Sequence, residues 1–171
     1  MKKILLPTLA IIATLLMLNL GVYRHEQLLK TGAVVYLPLA PVDPRSLMQG
    51  DFMALDYAVV RDVDQAIGQH STLDWPERGW LTVLLKLDSR RIATATWVGV
   101  KPRPAGAGEQ FLQVKALPGY GLSRVQLPSH AYFFAEGDAE RYSRARYAIL
   151  RVSKEGRSLL AGLADEHLKP L

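Results

Sequence analysis

Apolar residues are distributed along this chain in three patterns, and each predicts a different element. The first is unbroken: residues 4–23, ILLPTLAIIATLLMLNLGVY, carry no charge from Ile4 to Tyr23 and match the ~20 apolar residues a helix needs to cross a bilayer core. The second is alternating. From Phe52 onward Met53, Leu55, Tyr57 and Val59 fall on one face of an extended chain, with Phe52, Ala54, Asp56 and Ala58 on the other, as expected of a half-buried strand. The third is a series of short β-rich runs separated by turn formers. AVVYLPL at 33–39 reads as a first strand that Pro38 places at a sheet edge or end. WLTVLLKL at 80–87, the turn DSRR at 88–91 and IATATWV at 92–98 read as a hairpin, and QFLQVKA at 110–116 as a further strand.

Later elements are shorter. A turn at 118–121 leads to an extended piece over 126–134 that carries Tyr132, Phe133 and Phe134 into the core or a cleft. EGD at 136–138 ends it, and Asp138 is placed to cap a short helix over 139–144. AILRV at 148–152 and SLLA at 158–161 flank a Lys-Glu-Gly turn as a closing hairpin, and residues 165–171 read as a frayed tail. RDVDQAIGQH at 61–70 has helix formers but few apolar residues, which predicts a short exposed helix or an irregular crossover. The fold class is accordingly mainly β (α+β). An N-terminal transmembrane helix precedes an antiparallel barrel- or sandwich-like domain with one or two short helices. The division is an anchor and stalk over 1–30 and an extracytoplasmic β-rich domain over 31–171. A chain of 171 residues holds one such domain with a real core.

Charge decides how the leading run is read. Lys2 and Lys3 precede it, a bias that keeps the amino terminus in the cytoplasm and exports everything after Tyr23, although Arg24 and Lys30 weaken the asymmetry. A cleaved signal peptide is the competing reading. The run exceeds the ~7–15 apolar residues of a signal core and no A-x-A-like site succeeds it, so an uncleaved, single-pass inner-membrane anchor with a periplasmic head is expected. Tyr23 would stand at the interface, and residues 24–30 would extend the helix as a stalk until Thr31 and Gly32 end it. The net charge of +5 comes without a long Lys/Arg block, so no nucleic-acid partner is expected. Cysteine is absent, which removes disulfides, thiolate nucleophiles and cysteine zinc sites. His25, His70, His130 and His167 are scattered without ligand spacing, so neither a metal nor a cofactor is expected. Gly106 and Gly108 form no phosphate loop, and Trp75, Trp80 and Trp97 read as core or hairpin packing.

The richest stretch is PVDPRSLMQGDFMALDY at 41–57. Pro44 keeps Asp43 extended, Gly50 permits a sharp corner and Asp51 can cap its amides. Its last eight residues, GDFMALDY, resemble the motif of the bacterial GDYxxLxY proteins. The resemblance extends to VDPRSLMQ at 42–49, YFFAEG at 132–137, the strand at 147–152 and Gly156-Arg157. Phe52 stands where that motif has its first Tyr, so no role of that phenol carries over. The resemblance implies a membrane-anchored protein of unassigned biochemistry, encoded beside multi-spanning membrane proteins, and hence an integral membrane partner.

The candidate residues admit two readings. Asp43, Arg45, Gly50, Asp51, Tyr57, Tyr132 and Glu136 are either turn and rim residues or the walls of a polar groove. In that groove segments 43–57 and 132–137 meet around a peptide or partner loop, with Arg45 and Glu136 giving orientation. The function expected is binding or assembly with an integral membrane partner rather than catalysis. A membrane-tethered Ser/Lys hydrolase is the alternative: the turn around Ser46 distantly resembles that of type I signal peptidases, and Lys86 or Lys115 would have to activate Ser46. A sensor or binder of envelope ligands is the third.

Overall fold

In a computed structural model, residues 2–40, 52–69, 79–117 and 125–171 are described. The first element is a continuous helix, α1 (Lys2–Thr31). Among the described residues it is not buried by the head: over Thr8–Thr31 the mean hydropathy is 1.3 and none of the span is buried. It is long and apolar enough to cross a membrane. The helix ends as the sequence predicts. Gly32 N–H donates to the Leu28 carbonyl at 2.9 Å, and a Cβ at Gly32 would sit 2.5 Å from that same oxygen, so only glycine allows the chain to turn this tightly into the first strand.

The head is β-rich and antiparallel. One sheet has the order β1 (Ala33–Pro38), β8 (Tyr147–Val152), β9 (Ser158–Ala164); another has the order β4 (Ala93–Gly99), β3 (Gly79–Leu87), β5 (Glu109–Ala116), β6 (Val125–Gln126). A two-stranded ribbon joins β2 (Phe52–Ala54) to β7 (Ala131–Phe133). Pro38 lies on an edge strand opposite Tyr147, where its missing N–H does not interrupt a ladder. The sheets share one apolar core that includes Val35, Leu37, Ala148, Leu150 and Leu163 from the first and Leu81, Val83, Leu85, Leu112 and Val114 from the second. They are stitched where Tyr36 bridges Ile92 and where Gln113 N–H donates to the Gly156 carbonyl at 2.8 Å. The predicted hairpin is present as β3–β4. Its turn is closed by Asp88, whose carboxylate accepts from the amides of Arg90 and Ile92, both at 2.8 Å.

Four local expectations are corrected. The strand launched at Phe52 stops at Ala54, and α2 (Ala58–Gln69) begins four residues later. That helix is not exposed: Val59, Val60, Val63 and Ile67 are buried in the core, a spacing that puts them on one helical face. The helix after Asp138 is a single turn, α3 (Ala139–Tyr142), and Asp138 stands at its start without a side-chain cap. Residues 165–171 do not fray. The Asp165 carboxylate accepts from the His167 and Lys169 amides, both at 2.9 Å, and Leu171 N–H donates to the Leu163 carbonyl at 3.0 Å, so the end folds back onto β9.

Candidate functional site

The alternation read from the motif holds even though the strand is short. Met53, Leu55, Tyr57 and Val59 are all buried, because the turn between β2 and α2 keeps their side chains on the core side. Leu55 and Tyr57 are thus anchors of the head. The Leu55 amide donates to the His130 carbonyl at 2.9 Å, and the Ala40 amide donates to the Asp56 carbonyl at 2.7 Å. The Tyr57 hydroxyl donates to the Ser129 carbonyl at 2.6 Å. Two chain segments 72 residues apart are therefore clamped by one phenol. With the ring only 2% exposed, burial pushes the Tyr57 hydroxyl well above its ordinary pKa.

The motif and the segment containing residues 132–137 do meet. Phe52 lies opposite Phe133, Met53 opposite Tyr132 and Ala54 opposite Ala131. Over Phe52–Ala54 and Ala131–Phe133 they meet as hydrogen-bonded neighbours, and an open volume lies against the motif at Met53–Asp56. There a cleft of about 460 Å³ is walled by Pro38–Ala40, Met53–Asp56, Tyr142, Arg146 and Glu166, among others. Its polar groups are largely engaged: Asp56 pairs with Arg61, the Arg146 guanidinium donates to the Ala145 carbonyl at 3.0 Å, and Glu166 lies 3.5 Å from His167.

An aromatic cluster backs the ribbon. Tyr132 and Phe134 pack on Tyr142 with ring centroids 5.0 and 5.2 Å away. A hydrogen bond with the Tyr142 hydroxyl, and then partial burial, raise the Tyr132 pKa. Phe133 does not enter the core: it is 75% exposed, with its ring 5.7 Å from the Phe52 ring. Glu136 is exposed in the turn after it. Asp43, Arg45, Ser46, Gly50, Asp51, His70, Trp75 and the turn at 118–121 lie outside the described residues. The two lysines offered to Ser46 are both exposed. Lys115 pairs with Trp80 and Lys86 with Glu109, six positions apart on one ladder, or ~20 Å, so they cannot share one site. Among the described residues no group of three His, Asp or Glu side chains could hold a metal. Trp97 packs in the hairpin with the Arg103 guanidinium 5.5 Å from its ring, whereas Trp80 is half-exposed and not in the core.

Sequence reasoning does not find Tyr142, Arg146 and Glu166 as cleft walls. They sit in a single-turn helix, a loop and a segment that reads as a tail, and carry no motif. The exposure of Phe133 is a consequence of strand alternation once Met53 is known to face inward and Tyr132 to lie opposite it.

The fold and site define a β-rich head on a membrane-length leading helix, with Met53, Leu55 and Tyr57 of the signature motif built into its core. The chain belongs to the GDYXXLXY family: the model of that family, described as GDYXXLXY protein, matches residues 14–163. No curated protein matches the chain. No solved structure matches it either.

Proposed function

We propose that this chain is a single-pass membrane protein whose head, carried to the extracytoplasmic side, associates with a multi-spanning integral membrane partner through the β2–β7 ribbon. The leading helix stays attached, its amino terminus lies in the cytoplasm and, in a bacterium with two membranes, the head lies in the periplasm. Lys2 and Lys3 ahead of the apolar run support that direction.

The observation that carries the reading is the Phe52–Phe133 pair. A phenylalanine 75% exposed, braced by a second ring at 5.7 Å on the strand that bears the family motif, costs hydration free energy unless something covers it. Paired aromatic side chains of this kind are the residues that dominate interface energetics when a partner buries them. Neither ring belongs to the buried core, so they can be changed without unfolding the head. The double substitution Phe52→Ser with Phe133→Ser is expected to abolish co-purification of the multi-spanning partner in mild detergent while leaving the thermal melt of the head nearly unchanged. Co-purification at the parental level with an intact fold would refute the assignment.

The cleft beneath the motif favours a second reading, in which the head binds an envelope ligand. Its volume of about 460 Å³ lies in the range of small-molecule sites. Ser143→Trp, which places a large ring at a cleft wall outside the ribbon, separates the two: under the ligand reading it removes ligand-induced thermal stabilisation, and under the partner reading it leaves co-purification intact.

A further inference from the structure

We propose that the underside of the head, where it meets the end of α1, is a docking surface for anionic phospholipid headgroups. The inference rests on the reading of α1 as a membrane anchor and adds a ligand class and a site. Residues 4–23 at 1.5 Å each give about 30 Å, the thickness of the hydrocarbon core. Arg24 and Leu28 lie one and five residues beyond Tyr23, about 1.5 and 7.5 Å further along the axis, within or at the edge of the roughly 5–7 Å polar layer on that side.

Those same two residues, with His25 beside them on α1, line a pocket of about 340 Å³ whose remaining walls, including Trp80, Arg157 and Leu159, come from the head. An adjoining pocket of about 350 Å³ shares Arg24, Leu28 and Arg157 and adds Lys154 and Glu155. The head is held at that depth by contact. Gly32 leaves no room for a Cβ between the helix end and Arg151, and the Arg151 guanidinium donates to the Gly32 carbonyl at 3.2 Å. The underside therefore lies in the headgroup layer, not above it.

The chemistry of the surface fits that depth. Trp80 is 53% exposed and Lys115 stands directly opposite it on β5, so an indole and an ammonium share one face. Indoles concentrate at the membrane interface, where the ring meets acyl chains and the N–H meets water. Arg24, Lys154 and Arg157 form no ion pair among the described residues. The counter-charge is Glu155, whose carboxyl is held below its usual range first by a hydrogen bond from Ser153 and more weakly by Arg157 and Lys154. Guanidinium forks bind phosphate oxygens in pairs, and Leu28 and Leu159 give the glycerol backbone an apolar wall.

The test uses the full chain with Trp75→Phe and Trp97→Phe, leaving Trp80 as the reporter, in vesicles of phosphatidylcholine with or without phosphatidylglycerol. A nitroxide placed near the headgroup of either lipid reports which one lies against the indole. Quenching of Trp80 is expected to be stronger when the nitroxide rides on phosphatidylglycerol. Arg24→Gln with Arg157→Gln is expected to remove the preference, by a factor of about five in local lipid association for each guanidinium lost. Equal quenching by the two lipids, or a preference that survives the double variant, overturns the proposal. Unquenched Trp80 in protein that still floats with vesicles overturns it while leaving the anchor standing. Shielding of Trp80 only when a protein co-purifies overturns it in favour of a protein contact, and protein that fails to float removes the anchor and the proposal together.

Discussion

Tyr57 does for this head what a disulfide would do for a secreted one, holding two distant segments together in a chain without cysteine. Its hydroxyl donates to Ser129 across 72 residues of sequence, and Tyr57→Phe leaves that carbonyl without its donor, at a cost of about 1–2 kcal/mol. A lower urea midpoint at unchanged slope is the expected readout. Burial raises the Tyr57 pKa above its ordinary 10.0, so the folded state keeps a proton that the unfolded chain releases. The contribution is therefore fully present below about pH 10 and is lost as the pH rises toward the folded value. Tyr57→Phe should flatten that alkaline decline, and the part remaining should belong to Tyr132, whose pKa is raised by its hydrogen bond with Tyr142. Equal alkaline slopes in the two proteins would contradict this role. The side of the chain that Tyr57 faces is legible in the sequence, since alternation from Phe52 assigns it to the Met53 and Leu55 face. Its partner is not, because nothing in the local sequence selects Ser129.

Elements whose apolar period is unambiguous are legible in the sequence, and those with two competing periods are not. The β3–β4 hairpin shows one period, two β-rich runs around a polar turn, and forms as expected. Val59 and Val60 fit both the strand leading from Phe52 and a helix continuing to Ile67. Tertiary burial resolves the choice for α2, whose Val63 and Ile67 complete the stripe against the core. Ile67→Ala is expected to cost about 2–5 kcal/mol through lost burial and a residual cavity, read as a fall in melting temperature. A change near zero would mean that the helix lies on the head without supporting it. The carboxyl-terminal segment escapes sequence reading for a different reason. Its order comes from one carboxylate accepting two amides and a return to β9, neither of which has an apolar period to announce it.

At the scale of the whole molecule, the leading helix and the head answer different constraints. The helix exposes Leu16, Met17 and Leu18 with no cover from the head, a state that is favourable only in an apolar medium. Among the described residues of the head, the exposed large apolar side chains are Phe133 at the ribbon rim, Trp80 on the underside and Val100 just after β4. The first is assigned to a protein neighbour and the second to lipid, so a membrane partner would meet the ribbon while the underside rests on the bilayer. Membrane length and strand content are written in the sequence. The cleft is not, because its walls come from separate stretches that converge only in the folded chain.

The most direct test of the partner assignment is photo-crosslinking from the ribbon. A benzophenone amino acid is placed at Phe133 in the full chain, with Arg90 in the exposed β3–β4 turn as the control position, and intact cells are irradiated before the membranes are washed with alkaline carbonate. The expected result is an adduct at position 133, absent at position 90, that remains in the washed membranes and contains a multi-spanning protein. Adducts of equal yield at both positions, or none at 133 while the protein stays membrane-bound, would contradict it.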